Sequence, residues 1–268
     1  MSSLSRRQLL RAGTALGAGA ALLPTIAPPA RAFGEVTTGS FVSEARKGIE
    51  TGYKIARPPG ADGPLRPVIL LHGRDETADR MIGWGFENIL GGIDSTGAPP
   101  VAVAAIDGGN SYWHPHESGD DPGAMIINEF LPLLAEQGLD TSRVAFLGWS
   151  AGGYGVLLNG ARLGSPRTAA IAAVAPALWP TYEEATPDAF DDAKNWSDYS
   201  ALNLPQLDTI PLWVSCGTED RFYNASKTFA EQRRTPPAGG FSPGGHDGDY
   251  WDTQVTPALG WIAPLLAA

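Results

Sequence analysis

Ser150 is the residue whose surroundings point most sharply to chemistry. It sits in Gly148-Trp149-Ser150-Ala151-Gly152, directly after the apolar run Val144-Ala145-Phe146-Leu147 and directly before a stretch that reads as a helix. A serine on a sharp strand-to-helix turn is lifted out of the sheet on a strained backbone, and glycines two residues to either side avoid collisions there. With 33 glycines in the chain, chance alone supplies roughly 0.24 matches to G-x-S-x-G. The position of the match, between a strand and a helix, therefore carries the weight.

A serine hydroxyl is a poor nucleophile near neutral pH and needs an imidazole to take its proton and a carboxylate to orient that imidazole. The chain has four histidines, His72, His114, His116 and His246. In the order Ser, acid, His that such an elbow carries in α/β-hydrolases, only His246 lies downstream. It stands in the loop Pro243-Gly244-Gly245-His246-Asp247. The acid should end a strand between the two, and Leu212-Trp213-Val214-Ser215-Cys216-Gly217-Thr218-Glu219-Asp220 offers Asp220, with Glu219 as the neighbour that could replace it. Acyl transfer also needs backbone donors for an oxyanion. The N–H of Ala151, after the nucleophile, is one; the N–H of Arg74, in Leu71-His72-Gly73-Arg74, is the other. Gly73 permits the tight turn, and His72 reads as a structural residue of that loop.

Asn110, Ser111, Tyr112 and Trp113 are candidates for substrate contact. His114 and His116, with Glu117, Asp120 and Asp121 close by, could be read as a metal site. Pro115 between them argues against it, because an extended X-Pro backbone should point the two rings apart. No metal and no cofactor is expected. Cys216 lies in an apolar strand, where it should be buried and inert. Trp179, Tyr182, Trp196 and Tyr199 would either wall a substrate or pack their segment onto the domain.

The elements that must position these residues follow a clear rhythm. Thr37 to Ala45 and Thr51 to Arg57 alternate as two antiparallel strands, and Pro67 to Leu71 is an apolar run typical of a strand buried on both faces. Pro100 to Ile106, Arg143 to Leu147, Ala169 to Ala175 and Pro211 to Ser215 continue the strands. Pro122 to Gln137, Phe222 to Arg233 and Trp251 to Leu266 read as helices. Strands alternating with helices predict an α/β fold with a mostly parallel central sheet and helices on both faces. In such sheets sites form at the carboxyl ends of the strands, where every residue of the proposed set falls. One acidic and aromatic excursion, Trp179 to Leu204, interrupts the rhythm and could cover the site.

Val68 to Gly73, Gly148 to Gly153, Gly217 to Asp220 and Gly244 to Trp251 together resemble the α/β-hydrolase esterases, over nearly all of residues 36–268. Asp107-Gly108-Gly109-Asn110-Ser111-Tyr112-Trp113, and a histidine followed closely by an aromatic pair, are most similar to the group that includes S-formylglutathione hydrolases and mycolyltransferases. His72-Gly73 followed by Asp75, Thr77 and Ala78 also resembles polyhydroxybutyrate depolymerases and feruloyl esterases. Mycolyltransferases have an acidic residue where His72 stands, and a long apolar tunnel that nothing here clearly encodes. The resemblance implies ester hydrolysis through Ser150, His246 and Asp220, and leaves the acyl and alcohol parts open. Acyl transfer, peptide hydrolysis and a binding protein without activity are the rival readings.

The first 32 residues differ in kind. Ser5-Arg6-Arg7-Gln8-Leu9-Leu10, the Ala/Gly/Leu-rich run Ala12 to Leu23 and Ala30-Arg31-Ala32 form a twin-arginine export pattern with a small-x-small cleavage site. Residues 33–268 are then the catalytic domain, acting outside the cytoplasm, in the periplasm or cell envelope or secreted. The leader carries four arginines and no acid, so the 15 basic and 29 acidic residues that remain leave a formal charge of −14. Such a surface repels phosphate backbones and anionic membranes. The expected partner is a small-molecule, lipid or polymer ester, with no nucleic acid and no stable membrane insertion after cleavage.

Overall fold

The apolar runs assemble into one eight-stranded sheet in the computed structural model, which describes residues 34–268 apart from 62, 84, 95 and 96. The strands are β1 (Glu35–Ser43), β2 (Ile49–Arg57), β3 (Pro67–Leu71), β4 (Ala102–Ile106), β5 (Val144–Trp149), β6 (Thr168–Val174), β7 (Leu212–Gly217) and β8 (Ala238–Ser242). They lie in the order β1-β2-β4-β3-β5-β6-β7-β8. β1 and β2 form an antiparallel hairpin and β2 meets β4 antiparallel, while every pairing from β4 to β8 is parallel. All residues of β3, β4, β5 and β6 are buried, as expected of strands covered on both faces. The export leader expected at residues 1–32 lies outside the described residues.

The helices are α1 (Ala78–Ile82), α2 (Phe86–Asp94), α3 (Pro122–Met125), α4 (Leu131–Glu136), α5 (Ala151–Leu163), α6 (Ala193–Tyr199), α7 (Tyr223–Glu231) and α8 (Gly248–Ala267). α5 covers β5, β6 and β3, and α8 covers β6, β5 and β7 from the other face. The helix expected over Pro122 to Gln137 is continuous but passes through a π-helical stretch, Ile126–Phe130, between α3 and α4. There the Leu131 N–H reaches back five residues to the Ile126 carbonyl, just ahead of Pro132, which has no N–H to give. α8 starts three residues before the apolar pattern does, because the Asp247 side chain accepts from the Tyr250 N–H and caps it. The sequence carries no strand-like pattern at β8, a partly exposed edge strand with two glycines, Gly239 and Gly240. No helix among the described residues is long and apolar enough to cross a membrane. Cys216 is fully buried in β7, and burial pushes its thiol up to about 12.

The register aligns the carboxyl ends of the parallel strands. Leu71 of β3 pairs with Gly148 of β5, Trp149 with Val174 of β6, and Gly217 of β7 with Ser242 of β8. The loops holding His72, Ser150, Asp220 and His246 therefore emerge along one edge.

Candidate active site

Ser150 links β5 to α5 with φ 56° and ψ −120°, a conformation costing a non-glycine residue roughly 1–3 kcal/mol. The surroundings hold it there. Its N–H donates to the Val174 carbonyl at 3.0 Å, and its own carbonyl accepts from Tyr154 at 3.0 Å and Ala177 at 2.9 Å. The flanking glycines are required by contact. A methyl group on Gly148 would overlap the Gly152 carbonyl, and one on Gly152 would overlap the carbonyls of Leu71 and His72.

The Ser150 hydroxyl lies 2.8 Å from Nε2 of His246, whose Nδ1 lies 2.7 Å from Oδ2 of Asp220. Asp220 is fully buried at its side chain and receives the Phe222 N–H on Oδ1 at 2.8 Å. A carboxylate only accepts, so the proton of a neutral His246 sits on Nδ1 and leaves the Nε2 lone pair for the serine proton. The imidazole is packed between the Trp149 ring, stacked at 4.7 Å and 21°, and the Phe222 ring, edge-on at 5.2 Å. Glu219, the alternative acid, points elsewhere. Its carboxylate receives the Gly244 N–H at 3.2 Å and its N–H donates to the Gly244 carbonyl at 3.0 Å, which ties down the loop that carries His246.

The loop after β3 is held by two peptide planes. The buried His72 donates from Nδ1 to the Gly73 carbonyl at 2.7 Å and accepts the Gly108 N–H on Nε2 at 2.9 Å. Burial pulls its protonation to lower pH, which suits this neutral tautomer. In a trans peptide the Gly73 carbonyl and the Arg74 N–H point in opposite directions, so His72 also sets the direction of the Arg74 amide. The Gly73 N–H is taken by Glu76 Oε2 at 3.0 Å. Among the described residues, neither the Arg74 nor the Ala151 amide has a protein acceptor.

The segment after β4 is bound largely into the protein. Asn110 exchanges two hydrogen bonds with Asp75, at 2.7 and 2.9 Å. Ser111 donates to Asp120 at 2.5 Å, and Asp120 in turn pairs with the buried Arg46 at 2.9 Å. Tyr112 and Trp113 both have positive φ and are buried, Tyr112 against Trp179 and Trp113 against His72. Of the four residues expected to contact substrate, only Asn110 is exposed beyond partial burial.

His114 and His116 depart from the sequence expectation. Their rings do not diverge across Pro115 but stack at 4.3 Å, because His114 is buried between Phe190 and Tyr199 and bonds the Ala189 carbonyl, while His116 meets Asp191 at 2.9 Å. They clasp the Trp179 to Leu204 excursion to the domain. Burial lowers the His114 pKa to about 4. Among the described residues no group of three or more His, Cys, Asp or Glu could hold a metal ion. The aromatics of the excursion also pack: Trp179 lies against Tyr112, Phe190 and Phe222.

Two features beside the site are defined only by the fold. A cleft of about 480 Å³ opens between Leu178-Trp179-Pro180 and Arg221-Phe222, with Phe222 forming the partition to His246. Glu76 joins the loop after β3 to the elbow by accepting the Trp149 indole N–H at 2.8 Å as well as the Gly73 N–H.

No protein-family model matches the chain, and no curated protein matches it in sequence. Solved structures match it in fold. A ferulic acid esterase superposes with a TM-score of 0.73 at 20% identity, covering 87% of this chain and 98% of its own. An S-formylglutathione hydrolase from Staphylococcus aureus gives 0.70 at 18% identity, covering 87% and 100%. A ferulic acid esterase from Anaeromyces mucronatus, in complex with ferulic acid, gives 0.69 at 16% identity, covering 90% and 94%. With the strand order described above, these likenesses show that the chain has the α/β-hydrolase fold.

Proposed function

We propose that the protein is a serine hydrolase of carboxylic esters. The observation that carries this reading is the unbroken chain of contacts Ser150 Oγ, His246 and Asp220, at 2.8 and 2.7 Å, with the serine on a strained elbow. The Ser150 hydroxyl attacks the ester carbonyl while His246 Nε2 takes its proton. Asp220 supports the imidazolium that results. The tetrahedral oxyanion is held by the amides of Ala151 and Arg74, the first of these at the positive end of the 13-residue α5. Collapse breaks the bond to the alcohol oxygen, which leaves with the proton from His246. Water then gives a proton to His246, attacks the acyl-serine carbonyl and releases the acid, and Oγ regains its proton. These steps use side chains, amides and water alone.

His246 remains about one-fifth exposed at its side chain, so solvent reaches the imidazole, as water acting as the second acceptor requires. The substrate is a small-molecule ester or an ester bond on a lipid or polymer. The similarity to structures described as ferulic acid esterases and S-formylglutathione hydrolases supports the reaction type. The twin-arginine pattern at Arg6-Arg7 and the site at Ala30-Arg31-Ala32 support action outside the cytoplasm after removal of residues 1–32.

The test is hydrolysis of short p-nitrophenyl esters by wild type and Ser150→Ala, with folding checked by circular dichroism. Activity in the wild type that disappears in a folded variant supports the reading. Wild-type turnover in the variant would sink it. Added trehalose or another polyol that diverts product into a new ester would replace hydrolysis with acyl transfer.

A further inference from the structure

We infer that Glu76 is a positioning residue that locks the oxyanion loop to the nucleophile elbow, an inference resting on the esterase reading above. Its side chain is only about one-tenth exposed, and a single oxygen, Oε2, receives two N–H groups. One is the amide of Gly73, in the loop presenting Arg74, at 3.0 Å; the other is the indole of Trp149, the residue before Ser150, at 2.8 Å. The other oxygen faces the Arg80 guanidinium at 3.6 Å. The three groups are packed so closely that a methyl group on Gly73 would come within 2.6 Å of the indole nitrogen and 2.9 Å of Oε2.

The consequence reaches three catalytic parts. The bond to Gly73 fixes the His72–Gly73 peptide plane, and His72 fixes the next plane, so the Arg74 amide is aimed from both sides. The bond to Trp149 holds the indole plane, and that plane is the surface on which the His246 imidazole lies at 4.7 Å. Glu76 touches no reacting atom. It ties the oxyanion donor, the elbow and the ring of the base to one acceptor, so that a small shift of any is resisted by the others. Misplacements of about 1 Å can cost about 10²-fold in rate, and loss of one oxyanion donor about 10²- to 10³-fold.

Glu76→Gln keeps one amide oxygen able to accept both N–H groups, whereas Glu76→Ala keeps none. On p-nitrophenyl acetate, Glu76→Ala is expected to lose about 30-fold in kcat with KM within about twofold, and Glu76→Gln to stay within about threefold of wild type. Trp149→Phe, which deletes the indole donor, is expected to lose about tenfold in kcat, and the double variant Glu76→Ala/Trp149→Phe little more than Glu76→Ala alone, as coupled neighbours do. An effect of Glu76→Ala on KM alone, a Gln variant as impaired as the Ala variant, or additive losses in the double variant would each overturn the inference. If Glu76→Ala does not fold, Trp149→Phe decides: a wild-type kcat there refutes the tie. A wild-type protein that neither hydrolyses esters nor reacts with a fluorophosphonate rejects the esterase reading instead.

Discussion

Replacing Asp220 by Asn removes one charge and one acceptor while leaving the shape of the side chain intact, and the structure sets what that does. Both oxygens of Asp220 are used as acceptors: Oδ2 by His246 Nδ1 at 2.7 Å and Oδ1 by the Phe222 N–H at 2.8 Å. An asparagine has one oxygen and one NH₂. If its oxygen keeps the Phe222 amide, its NH₂ faces Nδ1 and forces the imidazole proton onto Nε2, where it meets the serine hydroxyl and the base is lost. If the oxygen turns to His246 instead, two buried donors face each other. The first arrangement produces the wrong tautomer, for which a drop of about 10⁴ in kcat is the expected scale, or about 5.4 kcal/mol of transition-state stabilisation. Glu219→Gln is the matched control. Its exposed carboxylate accepts the Gly244 N–H at 3.2 Å and the neighbouring Thr218 hydroxyl at 3.5 Å, and the amide oxygen can still accept the Gly244 N–H, so a change within about threefold is expected. The assay is kcat/KM for p-nitrophenyl acetate, with circular dichroism and thermal unfolding recorded for each variant. Retention of more than a tenth of the activity by folded Asp220→Asn, or an equal loss in Glu219→Gln, would refute the assignment of the acid.

Gly152→Ala should lower stability by about 3 kcal/mol, because the added methyl overlaps two backbone carbonyls that cannot move aside; calorimetry should show a fall in Tm of about 10 °C. Burial holds His114 neutral down to about pH 4, against 6.5 for a free imidazole. The unfolded chain therefore takes up a proton that the native state refuses, and stability present above pH 6.5 is lost as pH falls towards 4. The total is about 3 kcal/mol. Urea unfolding of wild type and His114→Gln across that range should show a steeper acid loss in wild type; parallel curves would reject the assignment. Expression in a bacterium with twin-arginine export should yield an extracytoplasmic protein whose first residue is Phe33, as read by N-terminal sequencing. Retention of that export by an Arg6→Lys/Arg7→Lys variant would contradict the leader.

The legible parts of the sequence were those where one physical requirement dominates. Buried parallel strands need continuous apolar runs, and β3, β4, β5 and β6 all announce themselves that way. Ser150 is marked because only glycine fits on either side of the elbow, and His246 and Asp220 because few residues stood in the right order at strand ends. β8 escaped notice because an edge strand with Gly239 and Gly240 needs no apolar face. The stacking of His114 on His116 depends on Phe190, Tyr199 and Asp191, about 75 to 85 residues further on, which no local backbone rule can see. Glu76 was hidden for the same reason: its partner Trp149 lies 73 residues away in the chain and is brought near only by the pairing of β3 with β5.

The central claim is that Ser150 forms the acyl-enzyme, and intact-mass and peptide mass spectrometry after treatment with a fluorophosphonate tests it most directly. The account predicts a single adduct on the peptide containing Ser150, lost in Ser150→Ala and slowed in parallel with ester turnover in Asp220→Asn. An adduct on another residue, or unchanged ester hydrolysis by a protein whose Ser150 is unlabelled, would contradict it.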